Sequence, residues 1–177
     1  MQKRLLPLLG LACACVALSS CSVTYGNKSL AESRHYESLK VGVSTKKDVY
    51  DALGQPANVM DMANHGTVWT YRYRKASNNA LSYVPFGVGL IAGGKNGDVQ
   101  TALALFDGKG LLQNRQLATQ KLYTSNLASL KRSVDGLRDE DYDSPAQHRV
   151  KAEMKKLGKP FDKNLAKEHW LLAEALD

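Results

Sequence analysis

The chain has 177 residues and carries 24 Lys or Arg against 17 Asp or Glu, a formal net charge of +7. That length holds one ordinary domain and an appendage. Its cysteines, Cys13, Cys15 and Cys21, all fall near the start, which excludes a disulfide framework, a cysteine-bound metal and a thiol nucleophile from everything downstream.

Lys3 and Arg4 precede an uncharged apolar run over residues 5–18, closed by Leu18-Ser19-Ser20-Cys21. A basic start, a short apolar core and small residues before a cut form a secretory signal. The run is shorter than the roughly 20 residues a bilayer-spanning helix needs. Leu18-Ser19-Ser20-Cys21 resembles a bacterial lipobox, whose cysteine is diacylated and becomes the new N-terminus. Cys13 and Cys15 fit that role poorly, because Gly10 and Ala12 stand where the lipobox takes a large aliphatic residue. The expectation is a signal peptide over 1–20, a covalent acyl anchor on Cys21 and no other cofactor. Two or three acyl chains together anchor a protein stably. Ser22 replaces the aspartate that, by resemblance to the enterobacterial sorting rule, retains a lipoprotein at the inner membrane. The expected location is therefore the periplasmic face of the outer membrane. Residues 21–126 carry twelve basic against seven acidic side chains, and residues 127–177 ten of each. Beside a leaflet, that basic body favours anionic phospholipid over the nucleic acid that an exported chain does not meet.

Residues 21–30 are small and polar and read as a tether. Residues 31–39 are a modest helix candidate. After the Val41-Gly42-Val43 break, Thr45 with Asp48 three residues on has the form of a capping box opening a second helix. Val49, Ala52 and Leu53 supply its apolar face, Gly54 suits its C-cap, and Pro56 stops its return. Residues 57–62 are a short strand candidate before the Asn64-His65-Gly66 turn. Residues 67–74 alternate, with Trp69, Tyr71 and Tyr73 on one face and Arg72 and Arg74 on the other, which predicts a strand with its rings inward and its arginines in water. Residues 100–106 and 111–117 read as a hairpin about Asp107-Gly108-Lys109-Gly110. Residues 102–106 hold no polar side chain on either parity, so both faces of that strand call for cover.

Residues 76–94 contain no charge and interrupt the two strands. This insertion, counted over 76–98, reads either as a loop folded on its own domain or as an apolar finger. Phe86, Leu90 and Ile91 are its candidate lipid or partner contacts. From residue 127 onward the chain reads as helical. Ser144-Pro145 is an N-cap with proline at N1, Gly158-Lys159-Pro160 is a stop, and a last helix carries Leu165, His169, Leu172 and Leu176 on one stripe, with Trp170 beside it as a packing anchor. The resulting class is α+β: two short helices on a three- to four-stranded antiparallel meander, with an apolar insertion and a C-terminal helical appendage. The organisation is signal 1–20, tether 21–30, domain 31–126 and helical extension 127–177.

Gly42, Thr45, Val49, Leu53, Gly54, Pro56, Trp69 and Tyr71 fall in order on a pattern that resembles the SmpA/OmlA (BamE-like) family of outer-membrane lipoproteins. The turn at 106–112 is similar to that family's last hairpin, and the resemblance covers about residues 31–118. It implies a non-catalytic binding or scaffold subunit in outer-membrane β-barrel assembly or envelope integrity, with envelope proteins, including barrel-assembly subunits, as partners. The motif residues themselves read as structural: the glycines and Pro56 turn the chain, and the aromatics fill the core. Lys40, Lys46 and Lys47, flanking Gly42 and the second helix, are candidates for anionic headgroups or a partner, or an ordinary solvated helix start. An inhibitor of a periplasmic enzyme, or a structural lipoprotein of a secretion or conjugation apparatus, fits the same anchor.

Catalytic chemistry finds little support. Gly87-x-Gly89-x-x-Ala92 matches a dinucleotide loop only loosely, without a strand before it or a helix after it. Residues 139–150 mimic a calcium loop but place Ser144 where glycine belongs and Val150 where the last glutamate belongs. His35, His65, His148 and His169 lack metal-ligand spacing. No metal site and no enzyme activity are expected.

Overall fold

The computed structural model describes residues 22–63, 65–79, 82, 93–125 and 144–173. Five strands form one sheet: β1 (Ser22–Gly26), β2 (Asn58–Asp61), β3 (Thr67–Asn78), β4 (Gly94–Phe106) and β5 (Leu112–Ser125). All pairings are antiparallel. β3, β4 and β5 form a meander, while β1 and β2 lie end to end along the other edge of β3, opposite residues 73–77 and 67–70. Helices α1 (Ser33–Glu37) and α2 (Lys46–Leu53) fall between β1 and β2 in the chain, and α3 (Pro145–Lys156) and α4 (Lys163–Ala173) follow the sheet. The coarse class read from the sequence, α+β with short helices and an antiparallel sheet, is the one observed.

Register explains the core. Trp69 faces Ala104 and Tyr71 faces Ala102 across β3 and β4, so each large ring sits opposite a methyl group and the sheet face stays level for the helices. Trp69 meets Phe106 edge-on, with ring centroids 4.9 Å apart, and Tyr71 at 6.4 Å. Leu30, Tyr36 and Leu39, then Val49 and Leu53 of α2, cover these rings. Leu103 and Leu105, on the opposite parity of β4, are half-buried.

Three expectations need correction. Residues 22–26 are not tether but strand, paired from Ser22↔Ser77 to Gly26↔Tyr73. The open edge of β3 offers unpaired backbone groups, and Val23, Thr24 and Tyr25 have the β-branched and aromatic side chains that fit a pleated edge. The helix expected over 31–39 is divided into a 3-10 turn (Lys28–Ala31) and the short α1, separated by Glu32 in extended conformation. The helical extension is no appendage. Val150 and Met154 of α3 are fully buried in the same cluster as Trp69 and Tyr71, with Leu157 and Phe161 packed against it, so α3 is part of the core.

The uncharged span also contributes more to the sheet than expected. Residues 76–78 stay in the β3–β4 ladder opposite 95–97, up to Asn78↔Lys95, and Gly94 still pairs with Ser125 of β5. Residues 80–81 and 83–92, with Phe86, Leu90 and Ile91, lie outside the described residues, as do 1–21 with Cys21, 126–143 with the acidic run, and Leu176. The side chains of Trp170 and Leu172 lie outside them too.

Candidate functional site

The family-like residues sit where backbone and core need them. Thr45 caps α2: its Oγ1 accepts from Asp48 N, and Asp48 Oδ2 accepts from Thr45 N at 2.7 Å. The Asp48 carboxylate accepts from both Thr45 N and Thr45 Oγ1, which holds its pKa below the ordinary value. Gly42 and Gly54 both have left-handed φ, at 77° and 81°, which only glycine adopts without strain. Val49, Leu53, Pro56, Trp69 and Tyr71 are fully buried. Burial pushes the Tyr71 phenol well above its ordinary value.

The three lysines separate. Lys40 and Lys47 are exposed, beside the exposed Val41 and Val43. Their turn is clamped to the β4–β5 end of the sheet by Gly42 N donating to Leu112 O and Lys46 N to Gly110 O. Lys46 turns inward. Its Nζ lies 2.5 Å from Glu153 Oε1 and 3.1 Å from Thr67 Oγ1, and 5.8 and 5.7 Å from the Trp69 and Phe106 ring centroids. Glu153 is 4 % exposed. The reading of Lys46 as a headgroup contact is therefore withdrawn, because a buried carboxylate 107 positions away holds it.

A cleft of about 230 Å³ opens where the sheet edge meets the last two helices. Its walls are the chain at 55–58 between α2 and β2, Arg72 of β3, the first turn of α3 and Ala166 and His169 of α4. Local chemistry fixes each wall. Gln55 exchanges two hydrogen bonds with the Asp162 backbone, at 3.1 and 2.8 Å. Ser144 caps α3, its Oγ accepting from Gln147 N. Arg149 Nε donates to Val59 O at 2.8 Å. Inside, His169 is 4 % exposed and neither ring nitrogen has a partner; Arg72 Nε is buried and also unpartnered. Burial, with the nearby Arg72 charge, lowers the His169 pKa from 6.5 to about 4.

The expectation that Arg72 and Arg74 face water fails. Arg72 is half-buried and Arg74 buried; α4 packs against β1 and β3 and brings His169 beside Arg72. Two further anchoring residues carried no signal of their own. Asn27 Nδ2 donates to Leu53 O and Gln55 O from a buried position, and Glu168 Oε2 accepts from Gly26 N. Among the described residues no three His, Cys, Asp or Glu are grouped to hold a metal, and no helix is long and apolar enough to cross a membrane.

No family model matches the chain, and neither a curated protein nor a solved structure is significantly similar to it.

Proposed function

We propose that this chain is a lipid-anchored, non-catalytic binding subunit of the bacterial envelope, held by Cys21 at the periplasmic face of the outer membrane. By resemblance to the SmpA/OmlA family, it presents its domain to the barrel-assembly machinery. The observation that carries the reading is the start of β1 at Ser22, one residue after the lipobox cysteine. An acyl chain there holds the sheet itself, with no slack between leaflet and fold.

Strand register then divides the molecule into a near and a far end. Ser22 aligns with Ser77, Asn96 and Tyr123. The uncharged sequence with Phe86, Leu90 and Ile91 leaves the sheet from that same end, between β3 and β4. Lys75, Lys95 and Lys121 lie within a few positions of it and are the headgroup candidates, each contributing about 1 kcal/mol at an anionic leaflet. Lys40 and Lys47 belong to the other end, about 30 Å away along strands that rise about 3.4 Å per residue. That is several times the ~8 Å over which salt screens charge. With the sheet upright on its anchor, Lys40, Val41, Val43 and Lys47 form a tip facing a protein partner, and the anchor raises the partner's effective concentration.

The test is affinity purification of the C-terminally tagged full chain from gently solubilised envelopes. Barrel-assembly subunits are expected with the native chain, and fewer with Cys21→Ala or Val43→Asp. A different reproducible partner would refute the barrel-assembly reading. Equal recovery with Cys21→Ala would refute the anchor's part in it.

A further inference from the structure

We propose that the cleft between Arg72, His169 and the first turn of α3 is a binding site for a carboxylate, with the Arg72 guanidinium as its counter-ion. The strongest observation is a pair of unmet polar groups. Buried polar groups in folded proteins are almost always hydrogen-bonded, and leaving one unpaired costs about 1–3 kcal/mol. Here His169, 4 % exposed, has two ring nitrogens without partners, and Arg72 Nε is buried without one. Both residues line the same cleft. No carboxylate among the described residues stands within ion-pair distance of Arg72, although Glu168 is next to His169 in α4, because Glu168 is bound to Gly26 N.

The third wall supplies donors of the same kind. Ser144 and Ala146, in the cap and first turn of the 12-residue α3, line the cleft. Ser144 Oγ takes the N–H of Gln147, while Ala146 N–H precedes the first residue with an intrahelical acceptor. The helix start also carries a partial positive charge. Arg72, the unpartnered His169 imidazole and the start of α3 line one space, and an acceptor-rich anion is its complementary occupant.

Charge and size narrow the class. With the His169 pKa near 4 the imidazole is neutral at pH 7, which leaves one full positive charge and favours a monoanion over a doubly charged phosphate. The volume of about 230 Å³ is below the ~300–1,000 Å³ of drug-sized pockets, and it suits an acylated amino acid or the last residue of a chain. The carboxylate can therefore belong to a small free acid or to a polypeptide terminus.

The full-length chain in detergent micelles, with ¹⁵N-labelled histidine rings, is titrated with sodium N-acetylglycinate, with inorganic phosphate, and with tetra-alanine carrying a free or amidated C-terminus. Saturable movement of the His169 resonances by N-acetylglycinate is expected, with affinity reduced about tenfold or more in Arg72→Gln, which removes the charge-assisted pair. Ala146→Leu, which fills the cleft from a half-buried helix position without touching either polar group, is expected to abolish the movement and keep the fold. Tetra-alanine acid binding at least as tightly as N-acetylglycinate, with the amide inert, assigns the site to a chain terminus; weaker binding assigns it to a small acid. Tighter binding of phosphate, an undiminished response in Arg72→Gln and Ala146→Leu, or no saturation by about 50 mM N-acetylglycinate would each overturn the proposal. Because the titration uses only small ligands and needs neither the anchor nor the barrel-assembly machinery, its outcome is independent of the envelope role.

Discussion

Removing the Lys46 charge will destabilise the fold, and removing its partner as well will restore most of the loss. The Lys46 and Glu153 side chains are 19 % and 5 % exposed and 2.5 Å apart. Deleting one member of a buried pair costs about 3–5 kcal/mol, since the survivor stays desolvated and unpaired. Two features reduce that figure here. Lys46 is not fully enclosed, and Lys156 remains 3.6 Å from the second Glu153 oxygen, although at 73 % exposure it offers only a surface-type contact, worth about 0.2–1 kcal/mol. Lys46→Met should therefore cost about 2–3 kcal/mol. Lys46→Met with Glu153→Leu, which leaves no buried charge, should cost about 1 kcal/mol or less. The assay is urea unfolding of the full chain followed by Trp fluorescence, with an unchanged m-value as the condition for comparing midpoints. The double-mutant cycle should give a coupling of about 2 kcal/mol or more, little altered by salt. A coupling below about 0.5 kcal/mol would mean that the pair contributes no more than a surface contact, and the account of Lys46 as a core-facing residue would fail.

Other consequences follow from single positions. His169 is neutral in the folded protein down to about pH 4, while the unfolded imidazole takes its proton near 6.5. Between these values the unfolded chain binds more protons, so stability falls as pH drops from 6.5 to 4, by about 3 kcal/mol in all. His169→Phe should flatten that part of the urea-midpoint profile; an unchanged slope would exclude His169 as its source. A Cβ at Gly97 would lie 2.8 Å from the Lys75 carbonyl oxygen across the β3–β4 ladder, so Gly97→Ala should cost about 1–3 kcal/mol by forcing the strands apart. A thermal midpoint equal to that of the unaltered chain would contradict the register. Thr45→Ala removes the α2 cap and should cost about 1 kcal/mol, with Thr45→Ser retaining most of it; equal losses in the two would show that the hydroxyl is not the cap.

Features signalled by neighbouring residues were legible, and features made by distant ones were not. The capping box at Thr45 and Asp48, the Gly54 stop, the Trp69-Tyr71-Tyr73 alternation and the Asp107–Gly110 turn each declare themselves within a few positions. In that turn Asp107 Oδ1 accepts from Lys109 N and Leu111 N, a local bond pattern that short polar side chains favour. β1 holds three strand-favouring side chains, Val23, Thr24 and Tyr25, in a run too short to declare itself, and it becomes strand only because the open edge of β3 awaits it. Lys46 reads as a solvated lysine until Glu153 arrives 107 residues later. Parity puts Arg72 opposite the aromatic rings, but it reports only which face a side chain is on and says nothing of what covers that face. The cleft joins four segments far apart in sequence, so Arg72 and His169 could be marked only separately: one as a strand arginine, the other as a histidine on an apolar helix stripe.

The proposed anchor, one residue before β1, would leave no slack between leaflet and sheet. β1 is fastened at its inner end as well as along its length: Gly26 N donates to Glu168 of α4, and Asn27 ties the end of α2 to the chain entering β2. An acyl group on Cys21 would then fix the height and tilt of the whole domain, where a tethered lipoprotein fixes only its distance of reach. Inserting ten Gly/Ser residues between Ser22 and Val23, with a serine closing the insert to rebuild β1, keeps the lipobox and the residue after it intact. It adds a coil with an r.m.s. span of about 18 Å. If the far tip works because it stands at a set height above the leaflet, partner recovery should drop towards that of Cys21→Ala while membrane fractionation stays complete. If recovery is unchanged, the acyl chain acts only to localise the domain, and the direct continuation from lipobox to sheet has no part in presenting the tip.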